Sequence, residues 1–438
     1  MILSTYEVAW ECEEPALPGR GCGDGVSPLQ EAERRGEPPE TIRGPLAAPK
    51  GIVVARFVAI PVTMGDAFFL ERDGRSVLVD GGNNVEGFPA LFREHVNRVG
   101  ADIVVCTHND ADHTNGIIGF LQAALRCREV WLPGRWLDTL PGLMRPWNEV
   151  AEDVACGAVE FWSEQEPKEP VEKPASIEEV GGMLSESCLK AEASENGSAS
   201  DWPDEVGDAV DNQELTPPQW WDRWWRIYIP PPAGPVSDPR FWRIIDGALQ
   251  AGERIRRIAR LAYANGVPVR WFEYDPGRAS GGLPGFLQVL SGRRIVRVSP
   301  YRTLFARLAL TTVNKESLVL YSPSDHTSPG VLFCADSDLQ RVSLPLRARD
   351  LVTAPHHGAD ANKEAYKAVS VSLPASASLT WVRSDCRTTT RPCPVYTKSL
   401  AGRRFCTVCR TGPPKQPVIL IGRRSVWARH PQLRSCQC

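Results

Sequence analysis

The sequence predicts an α/β protein layered as helix, sheet, sheet, helix. Three observations point there. Over residues 52–132 strand and helix patterns follow one another in the order β-β-β-α-β-α-β. One buried-strand pattern, Ile103 to Cys106, stops at a loop carrying His108, Asp110, Asp112 and His113, and a helical pattern follows it. Beyond Arg302 strand patterns resume, and two of them end in Asp336 and in the pair His356-His357.

The elements follow in order. Residues 1–50 are rich in Gly, Pro and Glu, lack a sustained period and predict a mobile leader. Ile52 to Ile60 is a strand, and Ala67–Glu71 and Ser76–Val79 form a hairpin across Asp73-Gly74. Phe88, Leu91, Phe92, Val96 and Val99 fall on one face of a helix. After the His/Asp loop, Ile117, Ile118, Leu121, Ala124 and Leu125 recur at helical spacing, and Glu129 to Leu132 is a strand. From Glu160 to Pro239 the pattern breaks down into Pro, Glu, Ser and Asp, which predicts a disordered or loosely docked insertion. Inside it, Trp220, Trp221, Trp224 and Trp225 predict a segment that docks, in core packing rather than as a base-stacking platform. Residues 240–264 read as a helix and Val267–Tyr274 as a strand; Leu379–Val382, Val418–Ile421 and Ser425–Ala428 read as further strands.

Charge is unevenly spread. Residues 160–214 hold 16 acids against 3 lysines, whereas the last 56 residues hold 12 Lys/Arg against the single acid Asp385. Outside the acidic stretch the chain is therefore basic, which suits an anionic substrate such as nucleic acid or a nucleotide. The acidic stretch or the Trp-rich segment could instead receive a protein partner. No apolar run reaches the length of a bilayer span, so no membrane partner is expected. Thirteen cysteines without a secretion signal predict reduced thiols and a cytoplasmic location. Cys406-x-x-Cys409 together with Cys436 and Cys438 is a candidate structural zinc set, with scattered thiols as the alternative.

The His/Asp loop carries the chemistry. Four ligand-type side chains within six residues would repel and desolvate one another in an ordinary core, and a cation removes that conflict. Imidazole mixed with carboxylate suits zinc, manganese or iron.

His108-x-Asp110-x-Asp112-His113, followed by Gly116, resembles the metal loop of the metallo-β-lactamase-fold hydrolases. The Asp at position 110, where the commoner form has His, is similar to the hydrolase domain of ComEC-like DNA-uptake proteins and their stand-alone relatives. Gly65-Asp66-Ala67, Asp80-Gly81-Gly82, Asn314-Lys315-Glu316-Ser317-Leu318-Val319-Leu320, Ala335-Asp336 and Pro355-His356-His357-Gly358 match further family segments in the expected order. The resemblance implies an αββα hydrolase domain over residues 51–382, interrupted by the acidic insertion at 160–239 and followed by a basic Cys-containing extension at 383–438.

It also implies a site of two cations, Zn²⁺ or alternatively Mn²⁺. His108 and Asp110 would serve the first, and Asp112, His113 and His357 the second. Asp336 would bridge them, and Asp80 would orient a ligand histidine from behind. Two close cations lower the pKa of a shared water, which would attack a phosphorus or carbonyl centre. Asp112 and His356 are the candidate catalytic side chains, with His356 facing the substrate; the two histidines of the pair could exchange roles. The family's third histidine of the first position is missing; His326 lies near in the sequence but in a turn-like segment. The implied activity is a metal-dependent phosphodiesterase or nuclease. Hydrolysis of a small ester, lactone or amide is the alternative, and a non-catalytic binding module with a degenerate site is a third reading.

Overall fold

The computed structural model describes residues 55–164, 174–187, 202–211, 238–296, 302–326, 328–374, 377–385, 391–399, 402–408, 415–423 and 426–430. The expected leader, the Trp220–Trp225 segment, and Cys409, Cys436 and Cys438 lie outside them. In chain order the elements are β1 (Arg56–Ala59), β2 (Phe68–Arg72), β3 (Arg75–Val79), α1 (Phe88–Val96), β4 (Gly100–Val105), α2 (Ala111–Gln122), β5 (Arg126–Pro133), α3 (Gly134–Leu143) and α4 (Trp147–Glu164). They continue with α5 (Ile177–Ser187), α6 (Asp204–Asp211), α7 (Pro239–Ala264), β6 (Val269–Tyr274), β7 (Gln288–Val289), β8 (Gly292–Ile295) and α8 (Leu304–Thr311). The last are β9 (Leu320–Ser322), β10 (Val331–Phe333), β11 (Leu351–Thr353), α9 (Lys363–Val371), β12 (Leu379–Arg383), β13 (Gly402–Cys406), β14 (Val418–Arg423) and β15 (Val426–Arg429).

The strands form two sheets. One runs β15-β14-β1-β2-β3-β4-β5-β6-β8 and the other β13-β12-β11-β10-β9-β7. Alternation along each strand sorts side chains between layers. Phe57 and Ala59 join Phe68, Val77, Val79, Leu320, Val331, Phe333 and Trp427 in the apolar layer between the sheets. Their neighbours Val58 and Ile60 face the other way, into a core shared with the helices. A third cluster, with Val352, Tyr366, Val369 and Trp381, covers the outer face of the second sheet beneath α9. The β2–β3 hairpin turns at Asp73 (φ 51°) and Gly74 (φ 72°), two left-handed residues whose twist matches the strands. Helix α7 begins where Asp238 accepts a hydrogen bond from Arg240 N at 2.9 Å, with Pro239 preset for a first turn.

Three local readings change. Two helices, α5 and α6, stand inside the stretch expected to be disordered or loosely docked. Each buries only a few apolar side chains, Val180 in one and Val206 and Ala209 in the other, so an acidic surface hides their period. Asn314–Glu316 is a 3-10 turn rather than the start of a strand, because Ser317 N and Oγ both donate to the Asn314 carbonyl; pairing begins at Leu320. Beyond residue 383 the chain adds β13 to one sheet, while β14 pairs antiparallel with β1 in the other.

Candidate metal centre

The site sits where strands from both sheets end. β4 delivers the loop 106–110, and Asp110 stands at the N-cap of α2, so His113 projects from the first turn of that helix. Glycine lets the layers touch here. A Cβ on Gly65 would lie 1.6 Å from the Asp112 carbonyl oxygen, and one on Gly116 would lie 1.8 Å from that of Gly81. The turn after β10 presents Asp336. Ala335 before it is left-handed (φ 47°), a conformation that glycine adopts more readily. After β11, His356 (φ 46°), His357 (φ 54°) and Gly358 (φ 85°) are consecutive left-handed residues. That strain is held by His356 N donating to Ala335 O at 2.9 Å and by Arg383 Nε donating to His357 O at 2.6 Å.

These loops bring two groups of donors together. In the first, His108, Asp110 and Asp336 offer atoms within 4.8 Å of one another; in the second, Asp66, His113, Asp336 and His357 do the same. Asp336 belongs to both. Its Oδ1 lies 3.3 Å from His113 Nε2 and 3.6 Å from His357 Nε2, and its Oδ2 lies 3.8 Å from His108 Nε2. Asp110 Oδ2 is 3.7 Å from His108 Nε2, and Asp112 Oδ2 is 3.3 Å from His357 Nε2. His356 is a quarter exposed, with Nε2 3.4 Å from Asp336 Oδ2, whereas His357 is buried. Asp80 stands behind the cluster: its carboxylate accepts from Thr107 N and Oγ1 and meets His113 Nδ1 at 2.8 Å.

Electrostatics show how tightly the groups depend on one another. Burial alone would lower His113 and His357. The carboxylates around them, led by Asp336 for His113 and by Asp66 for His357, outweigh it and push both imidazoles well above the ordinary histidine value. Burial would raise Asp336 and Asp112, yet the histidines hold both below the usual carboxylate range. For Asp66 burial prevails over the pull of His357, and its carboxyl is raised.

The donor set fits a cation. Asp66 Oδ1 and Oδ2, His108 Nε2 and Asp336 Oδ1 are buried without a hydrogen-bond partner, although each has a site neighbour close by. His113 Nε2 and His357 Nε2 face each other at 3.2 Å, an awkward meeting of two imidazoles that a shared positive ion between lone pairs would resolve.

Sequence reasoning placed His108, Asp110, Asp112, His113, Asp336, His356, His357 and Asp80 in this region, and the fold brings all eight near one another, although Asp112, expected as a ligand, stands beside His357 and in neither donor group. It missed Asp66 as a donor. The signal was the Gly65-Asp66-Ala67 segment, which reads locally as a turn. His326 is exposed and belongs to neither group.

Comparison with known proteins agrees with this geometry. Residues 60–150 match the family model of the metallo-beta-lactamase superfamily, a stretch that includes Asp66, Asp80 and the whole His/Asp loop. No curated protein matches the chain. No helix among the described residues is long and apolar enough to cross a membrane.

Proposed function

We propose that the protein is a binuclear metal-dependent hydrolase of phosphodiester bonds, acting on nucleic acid or a nucleotide. The observation that carries this reading is Asp336, one buried carboxylate shared by two separate donor groups. One cation would be held by His108, Asp110 and Asp336. The other would be held by Asp66, His113, His357 and Asp336, with Asp112 beside His357. Three carboxylates among the donors, with Asp112 beside them, make Mn²⁺ a real competitor of Zn²⁺. When bound, the cations supply Lewis acidity and lower the pKa of water at the site.

The side chains divide the remaining work. Asp80 fixes the His113 ring by accepting a hydrogen bond from Nδ1–H, so that Nε2 would point a lone pair into the site. Asp112, partly exposed beside His357, orients a water in the second group. His356 sits at the open edge, and a proton on its Nε2 would pass to the leaving oxygen. Support for a phosphodiester comes from the Asp at position 110, as in ComEC-like domains, and from the basic balance outside the acidic stretch. Metal stoichiometry and hydrolysis of an aryl phosphodiester, for wild type and Asp336→Ala, test the reading. Two metals per chain and a rate that collapses in the variant are expected. Metal with turnover of neutral aryl esters alone would move the substrate to small esters, and neither metal nor turnover would overturn the enzyme.

A further inference from the structure

Arg254 stands near the middle of α7, against the metal loop. Its Nε donates to the Asn109 carbonyl at 2.9 Å. Asn109 lies between His108 and Asp110 and is itself buried and anchored. Its Nδ2 donates to Ala251 O at 3.1 Å, on the same helix, and to Thr311 Oγ1 at 2.9 Å. The guanidinium is thus fixed at one nitrogen to the loop that carries the donors. Its two terminal nitrogens make no hydrogen bond or ion pair with any described residue. The charges that act on it are Asp110 first and Asp112 after, neither within ion-pair distance.

A half-buried guanidinium that bonds described residues through one nitrogen alone is costly to keep charged, and the Asn109 carbonyl and two nearby carboxylates offset that cost. Those carboxylates belong to the site. Divalent cations seated beside Asp110 and Asp112 would neutralise those carboxylates and leave the charge of Arg254, bonded to the metal loop, uncompensated. A planar fork with two free N–H edges, pinned at its base, matches the oxygens of a phosphate group.

We propose that Arg254 is a substrate-binding residue whose terminal nitrogens hold the non-bridging oxygens of a phosphate seated on the metal centre. This rests on the binuclear reading above, and it deepens that reading by making an anionic phosphoryl group, rather than a neutral ester, the substrate. Discrimination follows from geometry. A phosphodiester anion offers Arg254 two negatively charged oxygens, whereas a carboxylic ester offers one uncharged carbonyl oxygen.

The test is calorimetric titration of inorganic phosphate into metal-loaded wild type, Arg254→Gln and Arg254→Lys, with metal content measured on each. In Arg254→Gln phosphate affinity should fall about 10- to 100-fold while metal content stays at the wild-type value. Arg254→Lys should keep its metal and lose several-fold, because a point charge cannot replace the fork. Wild-type phosphate affinity in either variant overturns the proposal. Loss of metal from both variants also overturns it, since Arg254 would then only support the Asn109 loop. A second readout separates this from the reaction. If wild type binds phosphate through Arg254 but hydrolyses no phosphodiester, the assigned activity fails and the anion site stands. If wild type hydrolyses an aryl phosphodiester and Arg254→Gln keeps the wild-type ratio of phosphodiester to neutral-ester kcat/KM, the activity stands and the anion site fails.

Discussion

Asp80 Oδ2 lies 2.8 Å from His113 Nδ1, and the same carboxylate takes both the backbone and the hydroxyl proton of Thr107. The contact fixes which imidazole nitrogen is left to face Asp336. Asp80→Asn can offer an amide where the imidazole needs an acceptor. We expect roughly a 10- to 100-fold loss of affinity for the second cation with the fold retained. Competition titration with a chromophoric chelator measures it. Wild-type affinity in the variant would mean that His113 is oriented by packing alone.

Metal binding should release protons. The carboxylates around His113 and His357 raise both imidazoles, so the metal-free protein holds their protons to higher pH than an ordinary histidine does. A cation must displace them. Affinity therefore rises with pH up to those raised values and drops steeply as pH falls. The same shift means that the metal-free fold gains stability from these protons below the ordinary histidine value. It loses that contribution as pH climbs through the raised one. Titrations in buffers of different ionisation enthalpy count the protons; a pH-independent affinity contradicts the cluster geometry.

Arg383 and Asp385 tie two site loops together. Arg383 Nε donates to His357 O at 2.6 Å and its Nη2 is 3.4 Å from Asp385, which accepts from Gly65 N at 3.0 Å. Arg383 and Asp385 are fully buried. Arg383→Met leaves Asp385 with the Gly65 N–H and with Arg391, at 3.5 Å, and should cost about 3 kcal/mol of stability. Urea unfolding reads the loss. The variant should also bind metal more weakly, because Asp66 and His357 lose their common brace.

Glu273 supplies a pH signature away from the metals. Burial raises its carboxyl to about 7, against the pull of Arg135. An acid that holds its proton more tightly when folded stabilises the protein at low pH. That contribution declines as pH rises from the ordinary glutamate value to about 7. The full shift corresponds to at most roughly 3 kcal/mol. Glu273→Gln should flatten the fall in melting temperature across this window, and an unchanged slope would place its origin elsewhere.

Much of this centre was legible because its donors come in short runs that need no tertiary knowledge. His108 to His113 lie on one loop and first turn, and Pro355-His356-His357-Gly358 is one turn after a strand. Asp66 was not legible in that way. A lone Asp between Gly65 and Ala67 looks like any turn residue, and only the approach of the His357 loop gives it a role. The helices α5 and α6 escaped for another reason: one or two buried apolar side chains in each cannot impose a period on an acidic sequence. Arg254 escaped because nothing in the arginine-rich face of α7 marks which guanidinium reaches the metal loop.

The pairing of Arg56 with Ile421 has a consequence for how the chain comes together. The first strand of the large sheet has one neighbour close behind it, β2, and must wait for the other until nearly the whole described chain has been synthesised. Trp427, whose ring lies 6.4 Å from Phe57, arrives later still. Until then an emerging polypeptide carries an unpaired strand edge and an uncovered aromatic face, both adhesive. Closing so long a loop makes the last step of assembly slow. A ribosome-bound chain stopped short of β14 should therefore be a client for chaperones, and cutting the gene at residue 382 should yield an insoluble product.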